Sequence, residues 1–590
     1  MIQNKMYEKL INFFNQKDYD KLIDEYSFLK EKKLVTAFVL NLVGLSYANQ
    51  NKYQKAIDFI SDAIDLDPNF PDPYNNIAIV YYSIKEYSLA KDNFLKCLEL
   101  NNNHFQAAYG LANTYKMTQE FKLAIKYYNQ SINLDRNFYP SWIQKIRTQS
   151  QICDWNQNEK DVEFLCKNLK DKSFDPYLSL FMINDSALQF KIAKLYVENK
   201  YKNNEYSFNL SSNINKKIKI GYFSSDFMNH ATMHLMKKMF IKHNHDKFDI
   251  YCYSYGKKKD EVTEEIKKSI TNFKDISNKS DDDLIVYLRD QKIDIAIDLK
   301  GFCSENKFFI FSRKIAPIQV SYLGYPGTTG ANFIDYIIAD NVLINEENRK
   351  FFSEKIIFMP DSYQVNDDGK KISNIKLSRE DYGLPKDTFV FCCFNKIAKI
   401  HKTEFDTWLN ILKQSAQSIL WLLSENNIAI NNLKKYAEKN GVDPNRIIFA
   451  SKQKLDVHLA RHKLADLFLD TFTCNAHTTA SDALWAELPI ITKSGNTFAS
   501  RVASSLLTSL GLDELITYNI KDYENLAINL SENKNKLNTI NNKLKKNKLS
   551  MSLFNTLKFT RNIENAYSII YDKYSKNERT ADIKVDKVKI

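Results

Sequence analysis

A period of 34 residues runs through the first quarter of this 590-residue chain and limits its fold more than any other feature. Leu66-Asp67, Leu100-Asn101 and Leu134-Asp135 stand 34 apart, as do Tyr47, Tyr81 and Tyr115. Three columns in the same register hold only small residues: Gly44/Ala78/Ala112, Ala56/Ala90/Ala124 and Ala63/Cys97/Ser131. Two helices approach closely only where side chains are small, so these columns predict stacked helix pairs over 37–145. Tyr19 lies 34 before Tyr53, but the small columns fail there, which predicts a divergent helical capping unit over 1–36.

The spacing resembles the tetratricopeptide repeat, an α solenoid whose groove binds peptides or proteins. Beyond Trp142 the register is lost, and 146–215 reads as a helical connector marked by Cys153-Asp154-Trp155. From Lys216 the pattern changes to short β-rich runs between helical segments. KIKIGYFSS, FDIYCYSYG, IDIAIDLKGF, PIQVSYLGYP and DYIIADN form one series, and FVFCCFN, SILWLLSEN, RIIFAS, LADLFLDTF and PIITKSG a second. A polar stretch, 361–387, separates them. Such alternation predicts two doubly wound α/β domains, over 216–375 and 376–590, facing across a cleft. The second ends in a C-terminal helix and polar tail. Neither a G-x-G-x-x-G after the first strand nor a G-x-x-x-x-G-K-[ST] is present, which argues against a dinucleotide reductase and a phosphate-loop ATPase.

Within the second series, LADLFLDTFTCNAHTTASDALW (464–485) reads as strand, turn and helix N-terminus. The first amides of a helix lack internal partners, so this end is a ready anion site, and Thr478 and Thr479 add hydroxyl donors. Asp482, four residues after Thr478, shares its face and could accept from a ribose hydroxyl. Ser280-Asp281-Asp282-Asp283 contains a D-x-D of the kind that holds metal in other transferases. Here it precedes LIVYLRD, and a serine N-cap with an acidic first turn accounts for it. No metal site is expected.

Composition narrows the class. A hydrophobic share of 44% and a charged share of 26% are those of a globular protein, and the net charge of +12 is spread along the chain. No aromatic-basic motif supports nucleic-acid binding. The N-terminus lacks a signal peptide's apolar core, no apolar run would span a bilayer, and the eight cysteines form no CxxC pair. A reduced, cytoplasmic protein is expected.

Residues 217–236 (KIKIGYFSSDFMNHATMHLM), 315–340 with LGYPGTTG, 446–508 with NAHTTASDALW and GNTFASRVASSLL, and the tail LFNTLKFTRNIENAY resemble the O-GlcNAc transferase/Spindly family, in a bacterial-type form. These enzymes fuse tetratricopeptide repeats to a GT-B glycosyltransferase. The resemblance implies an inverting protein O-glycosyltransferase that moves a sugar from a nucleotide-sugar, UDP-GlcNAc first, onto Ser or Thr of proteins held by the repeats, without metal or cofactor. GDP-fucose and UDP-glucose remain alternative donors, and a catalytically inactive scaffold is the alternative from another class.

By the same resemblance, Lys399 in FCCFNKIAKI contacts the donor diphosphate, beside Asn395 and Lys396. His477, Thr478, Thr479 and Asp482 match diphosphate and ribose contacts, His458 lies on the nucleotide side, and His230 is the active-site histidine near sugar and acceptor. His234 reads as its packed neighbour. Lys396 and Ala398 replace a glutamine and a tyrosine of the animal enzyme, Leu455 a lysine near the base, and Asp294 a histidine on a strand at the cleft. The asparagine ladder of the animal solenoid is only partly present, Asn76 having Leu42 and Gly110 as counterparts.

Overall fold

The computed structural model describes residues 2–169, 174–201 and 217–588, in two compact units. The first, 1–152 with 156–165, is a run of antiparallel helix pairs. Pairs Tyr53–Leu66, Tyr87–Leu100 and Phe121–Leu134 each follow a helix starting at Ala37, Pro71 and Phe105. The small columns do what their size predicts. Ala56, Ala90 and Ala124 have no exposed surface, and a Cβ on Gly44 or Gly110 would lie 2.4 Å from Ile60 or 2.3 Å from Phe94. Left-handed turn residues recur at Lys17, Asn51, Lys85 and Gln119. The register therefore reaches back into the first pair, Ile2–Asn15 and Tyr19–Glu31, where buried Leu10, Leu22 and Leu29 fill the small columns. The ladder position Asn76 donates to Asn41 Oδ1 at 3.0 Å, a pairing shifted one residue from the one expected.

The second unit comprises 153–155 and 166–590. It holds strands β1 (Ile218–Ser224), β2 (Phe248–Ser254), β3 (Asn272–Asp275), β4 (Ile295–Asp298), β5 (Ile318–Ser321), β6 (Tyr336–Ala339) and β7 (Lys355–Phe358). These are followed by β8 (Phe389–Cys393), β9 (Ser418–Leu423), β10 (Ile447–Ala450), β11 (Leu467–Leu469), β12 (Ile490–Lys493), β13 (Ile516–Thr517) and β14 (Ile583–Lys584). The sheet orders are β14-β7-β6-β5-β4-β1-β2-β3 and β10-β9-β8-β11-β12-β13, with every pairing parallel. Parallel strands are covered on both faces, which is why they read as continuous apolar runs. Strand order reverses between β1 and β4 and between β8 and β11. Ligands of open parallel sheets bind in the crevice at such points, outside the strand C-termini.

The chain end departs from the expected boundary of 376–590. Helix Thr556–Ser575 returns to the first sheet, where buried Glu564 accepts from the Asn244 amide at 2.6 Å and lies 3.1 Å from His243 Nδ1. β14 then pairs with β7, and Asp582 binds Arg349 and the Ile356 amide. The reason is physical: β7 would otherwise present an unpaired edge. The stretch after β7 is also less linker-like than its polarity suggests, since Tyr363, Gln364, Val365 and Asn366 are each at most 1% exposed. Of the expected connector, helices Pro176–Met182 and Ser186–Lys200 belong to the α/β unit, and its far limit at 215/216 lies outside the described residues. Among the described residues no helix is long and apolar enough to cross a membrane.

LGYPGTTG is a buried loop tied to Glu354, which has no exposed surface and accepts from the Thr329 amide at 2.6 Å and the Thr328 hydroxyl at 2.7 Å. Gly330 sits at φ +65° with the Lys194 nitrogen 2.5 Å from where a Cβ would be. Gly441 has φ +76° and open space around it. Gly441→Ala should therefore lose about 1 kcal/mol from backbone strain alone. Gly330→Ala adds a backbone clash and should lose more than about 2 kcal/mol. Urea midpoints of the two variants test this, and equal losses would refute the close approach.

Candidate active site

The expected anion site is built on a loop after β11 that two buried carboxylates hold in shape. Asp470 accepts from the amides of Thr471 at 2.8 Å and Ala476 at 2.6 Å, and from the Thr492 hydroxyl at 2.7 Å. Glu404 accepts from the Phe472 amide at 3.1 Å. Helix Thr478–Trp485 starts directly after this loop. The amides of Thr478, Thr479 and Ala480 have no partner among the described residues, and both threonines are partly exposed. His477 Nε2 lies 3.0 Å from the Ala499 carbonyl. A carbonyl only accepts, so Nε2 carries the proton and Nδ1 keeps its lone pair. Burial, with the nearby charge of Lys399, pushes His477 down to about 3.

Lys399 ends a short 3-10 turn, Ile397–Lys399, that follows β8, and its ammonium donates to the Asn475 carbonyl at 2.7 Å. The structure thus brings Lys399 to the loop that leads into the helix. Lys396, on the same turn, is exposed, and partial desolvation together with Lys399 and Lys452 holds its ammonium below the usual lysine value. Asn395 differs from the reading as a substrate contact. It is 1% exposed, and its amide donates to Thr471 Oγ1 at 2.9 Å, so its side chain braces the loop from inside.

The first half contributes a polar cluster at the ends of β1 and β4. His230 caps helix Ala231–Lys242, with Nδ1 3.3 Å from the Thr232 amide and 3.3 Å from Asp226 Oδ2. Burial lowers its pKa, Asp226 raises it, and Lys300 and Lys396 lower it. That Lys396 acts on His230 puts groups from both halves in one field. Asp226 in turn accepts both bonds of Lys300 Nζ, at 2.9 and 2.8 Å, in a pair that is 6% and 5% exposed. Asp298 accepts from the amides of Lys300 and Gly301, and burial raises its pKa to about 6. Asp226 and Lys300 were not singled out in the sequence; the DLKG run after a strand is the signal that could have found them. Asp294 is corrected: it stands before β4, accepting from the Lys219 amide at 2.8 Å, at the opposite end of the strand from the cleft.

Asp482 also has a partner the sequence did not disclose. Lys370, from the polar stretch after β7, donates to its Oδ1 at 2.9 Å, with side chains 3% and 8% exposed. Oδ2 and the second lone pair of Oδ1 are left to receive a hydroxyl. His234 lies near this pair, close enough for both charges to act on it. His458 sits on helix Leu455–Arg461 with its ring 5.3 Å from Phe394 and 4.6 Å from His462, and its Nδ1 is buried without a partner. The acidic triplet 281–283 is a helix start: Ser280 accepts from the Asp283 amide as N-cap. No group of three His, Cys, Asp or Glu side chains suited to a metal forms among the described residues.

The chain matches the model of glycosyl transferase family 41 over residues 152–377 and 369–563, and the tetratricopeptide repeat over 39–70, 71–104 and 105–138. It is 37% identical over 377 residues to a probable UDP-N-acetylglucosamine-peptide N-acetylglucosaminyltransferase of Arabidopsis thaliana, covering 63% of this chain and 39% of that protein. The corresponding Caenorhabditis elegans protein is 26% identical over 553 residues, 72% of this chain and 48% of that one. The chain thus spans less than half the length of these curated relatives. A solved mutant O-GlcNAc transferase of Thermobaculum terrenum shares the fold, with a TM-score of 0.67 at 19% identity, over 92% of this chain and 99% of that one.

Acid should expose the neutral histidines. Burial pushes His458 to about 2, His462 to about 4 and His477 to about 3, whereas each titrates near 6.5 when unfolded. Their contribution is full above pH ~6.5 and is lost below it, as the unfolded chain takes up protons the folded one refuses. Asp470, raised to about 7, and Asp298, raised to about 6, act with the opposite sign. In His477→Gln, the proton uptake on unfolding at pH 5 should fall by about one. The slope of unfolding free energy against pH measures it, and an unchanged slope would mean that His477 is already protonated when folded.

Proposed function

The chain belongs to glycosyl transferase family 41, and we propose that it is an inverting, metal-independent protein O-glycosyltransferase that moves N-acetylglucosamine from UDP-GlcNAc to serine or threonine hydroxyls. One observation carries this reading. The Lys399 ammonium is fastened to Asn475, in the loop that runs into a helix whose first amides are unpartnered. A cation and a helix N-terminus at one point suit a diphosphate.

In the proposed reaction the acceptor oxygen bonds to the anomeric carbon on one face. The bond from that carbon to the β-phosphate oxygen breaks on the other, and its electron pair leaves with the nucleoside diphosphate. Negative charge on the diphosphate grows as the bond breaks, so Lys399 and the amides of Thr478 and Thr479 interact more strongly in the transition state than before it. His477, neutral with Nδ1 unprotonated, is suited to accept from a donor hydroxyl. The acceptor proton must also leave. His230 takes it through Nε2 only in the tautomer whose Nδ1–H faces Asp226; in the tautomer whose Nδ1 receives the Thr232 amide, Nε2–H is a donor that positions groups.

The helical repeats are the proposed acceptor-binding element. Protein relatives named as N-acetylglucosaminyltransferases support the donor. Lys396, Ala398 and Leu455, where the resemblance implies differences from the animal enzyme, are the proposed determinants of donor choice. Mass spectrometry of a modified acceptor decides: a gain of N-acetylhexosamine supports UDP-GlcNAc, whereas a deoxyhexose or hexose replaces it. A wild-type protein that binds no nucleotide-sugar and transfers nothing would be a scaffold.

Turnover should persist in excess EDTA, because the proposed charge stabilisation comes from Lys399 and backbone amides; a loss that magnesium or manganese restores would overturn this. Lys399→Ala should reduce single-turnover transfer at saturating donor about a hundredfold or more, the equivalent of roughly 3 kcal/mol. Retention of more than about a third of the wild-type rate would remove Lys399 from the diphosphate contact.

A further inference from the structure

The tripeptide Cys153-Asp154-Trp155 has no part in the site described so far, yet its contacts lead to it. Residues up to Ile152 and Asn156–Leu165 belong to the helical unit, whereas the tripeptide itself packs in the α/β unit. Cys153 is buried at φ +51°, a left-handed conformation that a residue with a Cβ adopts at a cost and keeps only where its surroundings demand it. Its thiol points to the Ile397 carbonyl at 3.9 Å. The Trp155 indole N–H donates to the Ile400 carbonyl at 3.2 Å. Ile397 and Ile400 bracket the turn that carries Lys399, and Ile400 is 1% exposed, so its carbonyl has no ready water to replace the indole.

The ring of Trp155 adds a second connection. It lies 5.7 Å from Phe405 and 5.2 Å from Tyr436. Phe405 adjoins Glu404 on helix Lys402–Gln414, and Glu404 holds the amides at the start of the loop that contains Asn475. The tripeptide therefore touches both the turn that bears the lysine and the helix that braces the carbonyl receiving it.

We propose that Trp155 and Cys153 are positioning residues for the donor diphosphate: by fixing the carbonyls on either side of Lys399 they set the direction of its ammonium. This rests on the reading of Lys399 as the diphosphate cation. A role in folding alone would lower stability and leave the rate of the folded enzyme unchanged.

Trp155→Phe keeps an aromatic ring at this position and removes the indole donor. Single-turnover transfer at saturating donor should slow about tenfold, with donor KM changed by less than about twofold. In the Lys399→Ala background the same substitution should have no further effect, because the group it positions is gone. Effects that multiply, an unchanged rate, or a loss found only in KM would overturn the proposal. If Trp155→Phe does not fold, Cys153→Ala serves in the same cycle, with a smaller loss that also vanishes in Lys399→Ala. If the wild-type protein transfers no sugar at all, the proposed function fails separately. Hydrogen exchange at the Lys399 and Ile400 amides then decides: faster exchange confined to this turn in Trp155→Phe supports the positioning role, and exchange that is unchanged, or raised equally across the α/β unit, overturns it.

Discussion

Asp470 stands at the end of β11 with no exposed surface, and each side-chain or backbone group bonded to its carboxylate is a donor. The donors come from three places: Asn395 beyond β8, Thr492 on β12, and the amides of Thr471 and Ala476 in the loop itself. One carboxylate thus fixes the loop against its two neighbouring strands. Burial of a charge without such bonds would cost several kcal/mol, so the loop cannot open at Asp470 without stranding it. The Asn475 carbonyl, one residue before Ala476, is held in place by this constraint, and through it the ammonium of Lys399. Burial raises Asp470 to about 7, against bonds and a lysine that lower it.

The repeats and the alternation of strands and helices were legible because both are local. A 34-residue period survives any change of side chain that keeps the small columns, and a buried parallel strand is an apolar run wherever it lies. Strand order is not local. Nothing in the sequence near β1 or β8 says that β4 and β11 lie beside them, although those adjacencies create the crevice. The return of the chain end was hidden for the same reason. Helix Thr556–Ser575 follows the last strand of the second series, and its attachment to the first sheet depends on Glu564 meeting His243, 321 residues away.

Site residues followed the same division. Lys399, His477, Thr478 and Thr479 lie within motifs that can be read along the chain. Lys300 and Lys370 cannot be read that way, because their partners, Asp226 and Asp482, are 74 and 112 residues distant. Lys370 was further concealed by its setting, a polar stretch whose composition suggests an exposed linker. Buried ion pairs make polar segments look like surface. Asn395 erred in the opposite direction: it lies in the right motif, but its side chain turns inward to Thr471.

The ion pairs also decide where positive charge is available. Two lysines of the α/β unit, Lys300 and Lys370, are buried against carboxylates. A paired buried cation has little attraction left for a ligand, because its partner cancels it at close range. Lys396 and Lys399 have no carboxylate partner among the described residues. Both come from the single turn that follows β8, and the histidines around it, which burial keeps neutral, add no charge of their own. Lys452, before helix Leu455–Arg461, adds to the charge of this turn by acting on Lys396. The orientation of this three-residue turn therefore sets the local field more than the net charge of the chain does.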